Sequence, residues 1–249
     1  MKTLQDWIAL ISTWINQLEE LKSFLQGLSP KKDYLPALSK YVVILDAGHG
    51  SLNPEGVYTT NGKYFIHPTG TFHKGSTFFE GMFNRIIITN YLIPMLKEAR
   101  IEYEVLYHDY LDTPLEERTR RANLIGKKKK SFGISAHSNA ANSKARGFSC
   151  FTSPGRTKSD LIADKLLEEV KGISKEYGFT MRYDFSDGDG DWEARFWMLV
   201  KTDMPFILPE CLFFDNLEDA KILMNVNFQK AYAKCLFNTI VYVMNNVEL

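Results

Sequence analysis

The chain has 249 residues, 45% of them hydrophobic and 24% charged, an ordinary globular balance with room for one large domain and an appendage. Its 30 lysines and arginines match its 30 aspartates and glutamates, which argues against nucleic acid or any partner held mainly through phosphates. The three cysteines are far apart and form no Cys-x-x-Cys pair, which argues against a disulfide framework or a thiolate zinc knuckle. No apolar run approaches the ~20 residues of a transmembrane helix.

Residues 3–28 carry one amphipathic pattern. Leu4, Ile11, Leu18 and Leu25 recur at heptad spacing, and Trp7, Trp14, Leu21 and Leu28 follow each in turn, which makes an a/d seam. Ser29 to Asp33 reads as a helix stop. The expected organisation is an N-terminal amphipathic helix over 1–30, a linker over 31–40 and the main domain over 41–249. Through residues 4–28 the helix would dock on its own domain, form a homo-oligomer or bind a partner helix. A membrane-surface role is disfavoured by Asp6, Glu19 and Glu20 on the polar face. The N-terminus does not read as a signal peptide: Lys2 is the sole early positive charge, Asp6 interrupts the apolar stretch, and no small-residue cleavage site follows.

From Tyr41 onward, strands and helices alternate. Strands are expected at Tyr41–Asp46, Glu102–Tyr107, Phe132–Ala136, Gly147–Phe151, Arg195–Val200 and Phe206–Pro209. Helices are expected from Glu80 to about Ala99, with Pro94 as a kink or early end, at Leu115–Ile125, at Ser159–Tyr177, and once or twice within Leu217–Asn246. Residues 47–79 read as one long polar loop. This alternation predicts an α/β domain: a twisted, largely parallel (mixed) central sheet flanked by helices, with ligands gathered at the carboxyl ends of strands.

The residues at those ends carry the chemistry. His49 follows the first strand, His137 follows Phe132–Ala136, Glu210 follows Phe206–Pro209, and Glu80 heads the first long helix. Two imidazoles and a carboxylate are a catalytic zinc ligand set with one position left open. A further carboxylate can then move protons. The glycines beside His49 would leave room for metal and substrate near the backbone. Each residue has a structural alternative; Glu80, for example, would complement the helix dipole. Glu210 is the hardest to explain otherwise, because it lies between two apolar runs, "PFIL" and "CLFF", and an unpaired buried carboxylate costs several kcal/mol.

"LDAGHG", the helix-heading Glu80, "EERTRRAN", "SAHSNA", "RGFSCF" and "MPFILPECLFFDN" occur in one order over about residues 41–246. Together they resemble the zinc-dependent N-acetylmuramoyl-L-alanine amidases of the amidase-3 type. The resemblance implies a phosphorylase/hydrolase-like α/β fold and a Zn2+ cofactor bound by His49, Glu80 and His137. It implies Glu210 as catalytic residue, with Phe213 and Asn216 in register, and Asp46 as a residue orienting the site from behind. Arg118 and Asn123 match family positions as structural or substrate-edge residues. The implied substrate is peptidoglycan, cleaved between the lactyl group of N-acetylmuramic acid and the L-alanine of the stem peptide. A zinc carboxypeptidase or aminopeptidase, and a non-catalytic wall-binding or structural protein of the same fold, are the alternatives.

The chain departs from the family at Cys211 and Phe214, which stand where small residues are common, and in its long segment between His49 and Glu80. His67 and His73 in that segment are expected to overhang the site as surface or substrate-edge residues. Asn139, His73 and Trp192 are candidate substrate contacts. His108 is expected to be structural. "DGDGDWE" (Asp187 to Glu193) resembles a calcium loop but lacks the expected glycine, where Trp192 sits, and the closing glutamate, where Met198 sits; it is read as a polar loop near the groove. With no signal peptide visible, the expectation is a protein made in the cytoplasm that acts on the cell wall or periplasm, released through a holin or carried on a virion.

Overall fold

The computed structural model describes Leu18 and residues 40–249. The heptad seam and the linker otherwise lie outside the described residues. The first strand, β1 (Val42–Ala47), is buried along its whole length, as its run of apolar residues requires for a central strand. The main sheet also contains β4 (Tyr103–Val105), β5 (Ser131–Asn139), β6 (Ser149–Thr152), β7 (Trp192–Glu193) and β8 (Phe206–Phe213), in the order β4–β1–β5–β8–β6–β7. Strands β4, β1, β5 and β8 run parallel; β6 is antiparallel to β8, and β7 is parallel to β6. The sheet is therefore mixed and mostly parallel, as its alternation with helices implies.

Side chains alternate between two apolar layers. Val43, Leu45 and Ala47 enter the larger core, which includes residues of the helices α4 (Lys158–Tyr177) and α7 (Val226–Asn246). Ile44, Phe206 and Leu208 enter a smaller core with Ala122 of α3 (Leu115–Gly126) and Met198 of α5 (Trp197–Val200). Residues 195–200 are therefore not the expected strand. Met198 and Leu199, both buried, fit one face of a helical turn, and a short apolar run carries no periodicity that separates the two states.

The loop that follows β1 departs from expectation, while the helix after it spans the expected residues. Residues 47–79 are not structureless: β2 (Tyr64–Ile66) and β3 (Thr77–Phe79) pair as an antiparallel ribbon. Pro94 does not end the helix that begins at Glu80. The helix runs as α1 (Glu80–Arg85), a π-helical stretch (Ile86–Leu92) and α2 (Ile93–Glu98). Proline has no N–H to donate and its ring crowds the carbonyl four residues back; the wider π turn just ahead of Pro94 relieves both. The short helix α6 (Leu217–Leu223) is capped by Asn216, whose side chain accepts from Glu218 and Asp219.

Candidate metal centre

The chain leaves β1 through Gly48, His49 and Gly50. His49 sits at φ 66°, in the left-handed region, where a residue with a Cβ pays about 1 kcal/mol or more. The flanking glycines make room for close approach of the protein itself. A Cβ on Gly48 would lie 2.1 Å from Cε1 of His137, and one on Gly50 would lie 2.0 Å from Oγ1 of Thr59. Without a side chain at 48, the His137 ring packs directly on the turn that carries His49.

Glu80 is aimed by the long loop. The first N–H groups of a helix lack partners within it, and here the loop supplies them. Phe79 N–H donates to Nδ1 of His73 at 2.9 Å, Glu80 N–H to the Lys63 carbonyl at 3.1 Å, and Gly81 N–H to the Tyr58 hydroxyl at 3.0 Å. Glu80 is 1% exposed. Its Oε1 lies 2.9 Å from Nδ1 of His137 and 3.3 Å from the Ser138 N–H; its Oε2 lies 3.3 Å from Nε2 of His49. The two imidazoles meet edge to face, with centroids 4.9 Å apart. One ligand atom from each of His49, Glu80 and His137 falls within 4.8 Å of the others, and the three form a group that can hold a metal ion.

The charges suit that role. Burial alone would raise Glu80, but hydrogen bonds from His137 and His49 outweigh it and hold the carboxyl below its ordinary range. Burial lowers His49, which favours the neutral imidazole a metal needs. Burial would lower His137 too, yet the Glu80 contact wins and raises it. Nε2 of His49 and Oε2 of Glu80 are both buried without a hydrogen-bond partner. Two imidazoles and a carboxylate gathered around one point, with His49 Nε2 and Glu80 Oε2 held only by their 3.3 Å ion-pair contact, fit a divalent cation of the zinc class.

Glu210 and His137 lie within their strands rather than beyond them, and they are direct neighbours across the β5–β8 ladder. Past this pair β8 carries one extra residue: His137 pairs with Glu210, but Asn139 pairs with Phe213. Leu212 takes φ 57° at this bulge, so Cys211 and Leu212 both enter the large core. Burial pushes the Glu210 carboxyl up to about 8; Glu80 adds to this, while His137 and Lys63 oppose it. Its Oε2 is buried without a partner.

The other predicted residues each have defined partners in the fold. Asp46 accepts from Arg118 Nη1 at 3.1 Å and from Ser135 Oγ at 2.7 Å, which ties the ends of β1 and β5 to α3. Arg118 also donates to Asp112 and the Thr113 carbonyl. Asn123 links α3 to Lys201 and Asp203. Asn139 accepts from the neighbouring Ala140 N–H. Nδ1 of His108 accepts from the Tyr110 and Leu111 amides. His67 is not a surface residue: it is buried, with Nε2 2.9 Å from the Phe214 carbonyl. His73 accepts from the Phe79 N–H at the start of α1. Trp192 lies in β7, where its Nε1–H donates to the Arg182 carbonyl at 3.2 Å. The sequence reading missed Tyr58 and Lys63. Lys63 Nζ stands 3.9 Å from Oε2 of Glu80, at the rim; nothing in its local sequence marks it, because only the folded ribbon brings it there.

A profile of the amidase-3 family, described as N-acetylmuramoyl-L-alanine amidase, matches residues 43–242. The chain belongs to this family of hydrolases. The amidase fold extends to solved structures. An N-acetylmuramoyl-L-alanine amidase from Clostridium difficile 630 superposes with a TM-score of 0.65 at 21% identity, covering 84% of this chain and 100% of that one. The catalytic domain of CwlV, an amidase from Bacillus (Paenibacillus) polymyxa var. colistinus, gives 0.61 at 21% identity, covering 84% and 99%. The catalytic domain of the CD27L endolysin, targeting Clostridia difficile, gives 0.56 at 17% identity, covering 80% and 97%. No curated protein matches the chain by sequence. The hydrolysis of amides in peptidoglycan is the activity that this family membership carries. Among the described residues, no helix is long and apolar enough to cross a membrane.

Proposed function

We propose that this amidase cleaves the bond between the lactyl group of N-acetylmuramic acid and the L-alanine of the stem peptide, with Zn2+ held by His49, Glu80 and His137. The observation that carries the reading is the pairing of His137 with Glu210 across β5 and β8. It sets a carboxylate with one buried, unpartnered oxygen, outside the ligand group, beside one of the ligands. Zn2+ held by the three residues supplies Lewis acidity and an acidified water at neutral pH.

Glu210 moves the proton. Its place opposite His137 in the ladder, and an Oε2 with no partner, let its carboxylate take a proton from the attacking water and return it to the leaving nitrogen of alanine. Asp46 and Arg118 hold β1 and β5 in place behind the site. The loop residues Tyr58, Lys63 and His73 keep the start of α1 aimed.

The test is digestion of purified peptidoglycan by the wild type and Glu210→Ala, with products identified by mass. Intact stem peptides with free L-alanine amino ends, lost in a variant that still binds zinc, are expected. Cleavage within the peptide or glycan, or equal activity in the variant, overturns the reading.

A further inference from the structure

Away from the metal centre, the segment from Asp187 to Glu193 folds beside β6 and α4. Its Asp191 is 2% exposed. The Oδ2 of Asp191 accepts from the Thr152 hydroxyl at 2.5 Å, but its Oδ1 is buried with no partner. Asp189 turns its carboxylate onto Asp191, and its Oδ1 is likewise buried and unpartnered. Asp160 and Asp164, one turn apart on α4, add to the negative field. Burial raises Asp191 to about 7, and the charges acting on it, Asp189 and Asp160, are both carboxylates that raise it further. Facing acceptors without a donor are costly in a protein interior. A shared proton or a bound cation would satisfy them.

We propose that Asp189 and Asp191 bind a hard divalent cation of the calcium type, which pins this loop to β6. A proton would serve one pair of oxygens and leave the field of Asp160 and Asp164 in place; a dication offsets both. The donors are all oxygen, the preference of calcium rather than zinc, and calcium's loose geometry accepts carbonyls and waters as the remaining ligands. The pinned segment continues directly into β7, where Trp192 and Glu193 pair with Phe151 and Thr152. Strand β6 in turn pairs with β8 at Ser149–Glu210. The cation would thus brace the sheet edge next to the catalytic strand. This site stands whether or not the amidase mechanism above is correct.

Trp192, adjacent to Asp191, makes the test direct. Zinc-loaded protein freed of calcium is titrated with Tb3+ under tryptophan excitation, and Ca2+ is then added back. The expected result is sensitised Tb3+ emission that Ca2+ displaces, weakened at least tenfold in Asp191→Asn and Asp189→Asn variants with unchanged far-UV circular dichroism. The wild type should also gain about 5–10 °C in Tm when Ca2+ reaches about a hundred times its Kd. The wild-type measurements stand even if a variant misfolds. Emission equal in wild type and variants, or no Ca2+-displaceable emission and no Tm gain in the wild type at about 1 mM Ca2+, the weak end of protein calcium sites, overturns the proposal in favour of a shared proton.

Discussion

Nδ1 of His137 lies 2.9 Å from Oε1 of Glu80, and in the metal-free protein this contact raises the histidine's proton affinity against the effect of burial. A metal bound by His137 would have to displace that proton, because imidazole ligates in its neutral form. Zinc affinity should therefore fall by up to about tenfold per pH unit below the raised value, which lies above 6.5. Above it the contribution of His137 levels off. Competition against a chromophoric chelator between about pH 5.5 and 8.5 measures this; a flat profile across that range contradicts it.

Gly48→Ala should disrupt the centre without touching a ligand. The new methyl would meet the His137 ring at 2.1 Å, between elements that cannot easily separate because β1 and β5 are paired along six positions. Zinc content should drop and turnover should fall by about a hundredfold, on the scale of a 1 Å misplacement. Full zinc occupancy in a folded variant would show that the ring has another place to go.

Lys63→Met should strengthen metal binding. The ammonium stands 3.9 Å from Oε2 of Glu80 and repels an incoming dication, although its exposure screens the effect. A several-fold tighter zinc Kd at low salt is expected, with the difference shrinking as salt is added. Equal affinities at low salt would place the lysine's charge outside the field of the site.

His73 ties acid stability to the start of α1. Burial depresses its pKa from 6.5 to about 4. The unfolded chain then binds more protons than the folded one between those values, so stability is fully present above about 6.5 and is lost as pH falls towards 4, by up to about 3 kcal/mol. Urea midpoints measured against pH should slope less in His73→Phe than in the wild type over that window. The variant also loses the acceptor for Phe79 N–H, which lowers its stability near pH 7 by about 1 kcal/mol.

Asp46→Ala should destabilise by about 3–5 kcal/mol, because it leaves the Arg118 guanidinium, 3% exposed, short of its most buried partner. The double variant Asp46→Ala/Arg118→Met should recover part of that loss in denaturant titrations. Strictly additive losses would mean that the pair is not coupled.

Much of this architecture was legible before folding. The buried run of β1 and the long amphipathic α4 announce themselves through local composition and period. Thr157 closes a capping box with Asp160 at the start of α4, a signal written within four residues. The failures cluster where local pattern is silent. Residues 195–200 are too short to distinguish strand from helical turn. His67 reads as an overhanging loop residue, but Phe65 and Phe72 pack against its ring and Phe214 takes its Nε2.

The sequence by itself determined the kind of chemistry available: two imidazoles and two carboxylates placed in or beside apolar strand runs and at a helix start. Those positions follow from residue type and apolar run length, which act over a few residues. Only the tertiary structure decided that His49, Glu80 and His137 share one point, that Gly48 exists to admit an imidazole, and that the long loop caps α1. His137 and Glu80 are 57 residues apart, and their meeting depends on the pairing of β1 with β5 and on the loop that aims the start of α1. Such contacts are set by packing of the whole domain, and no local stretch of sequence encodes them.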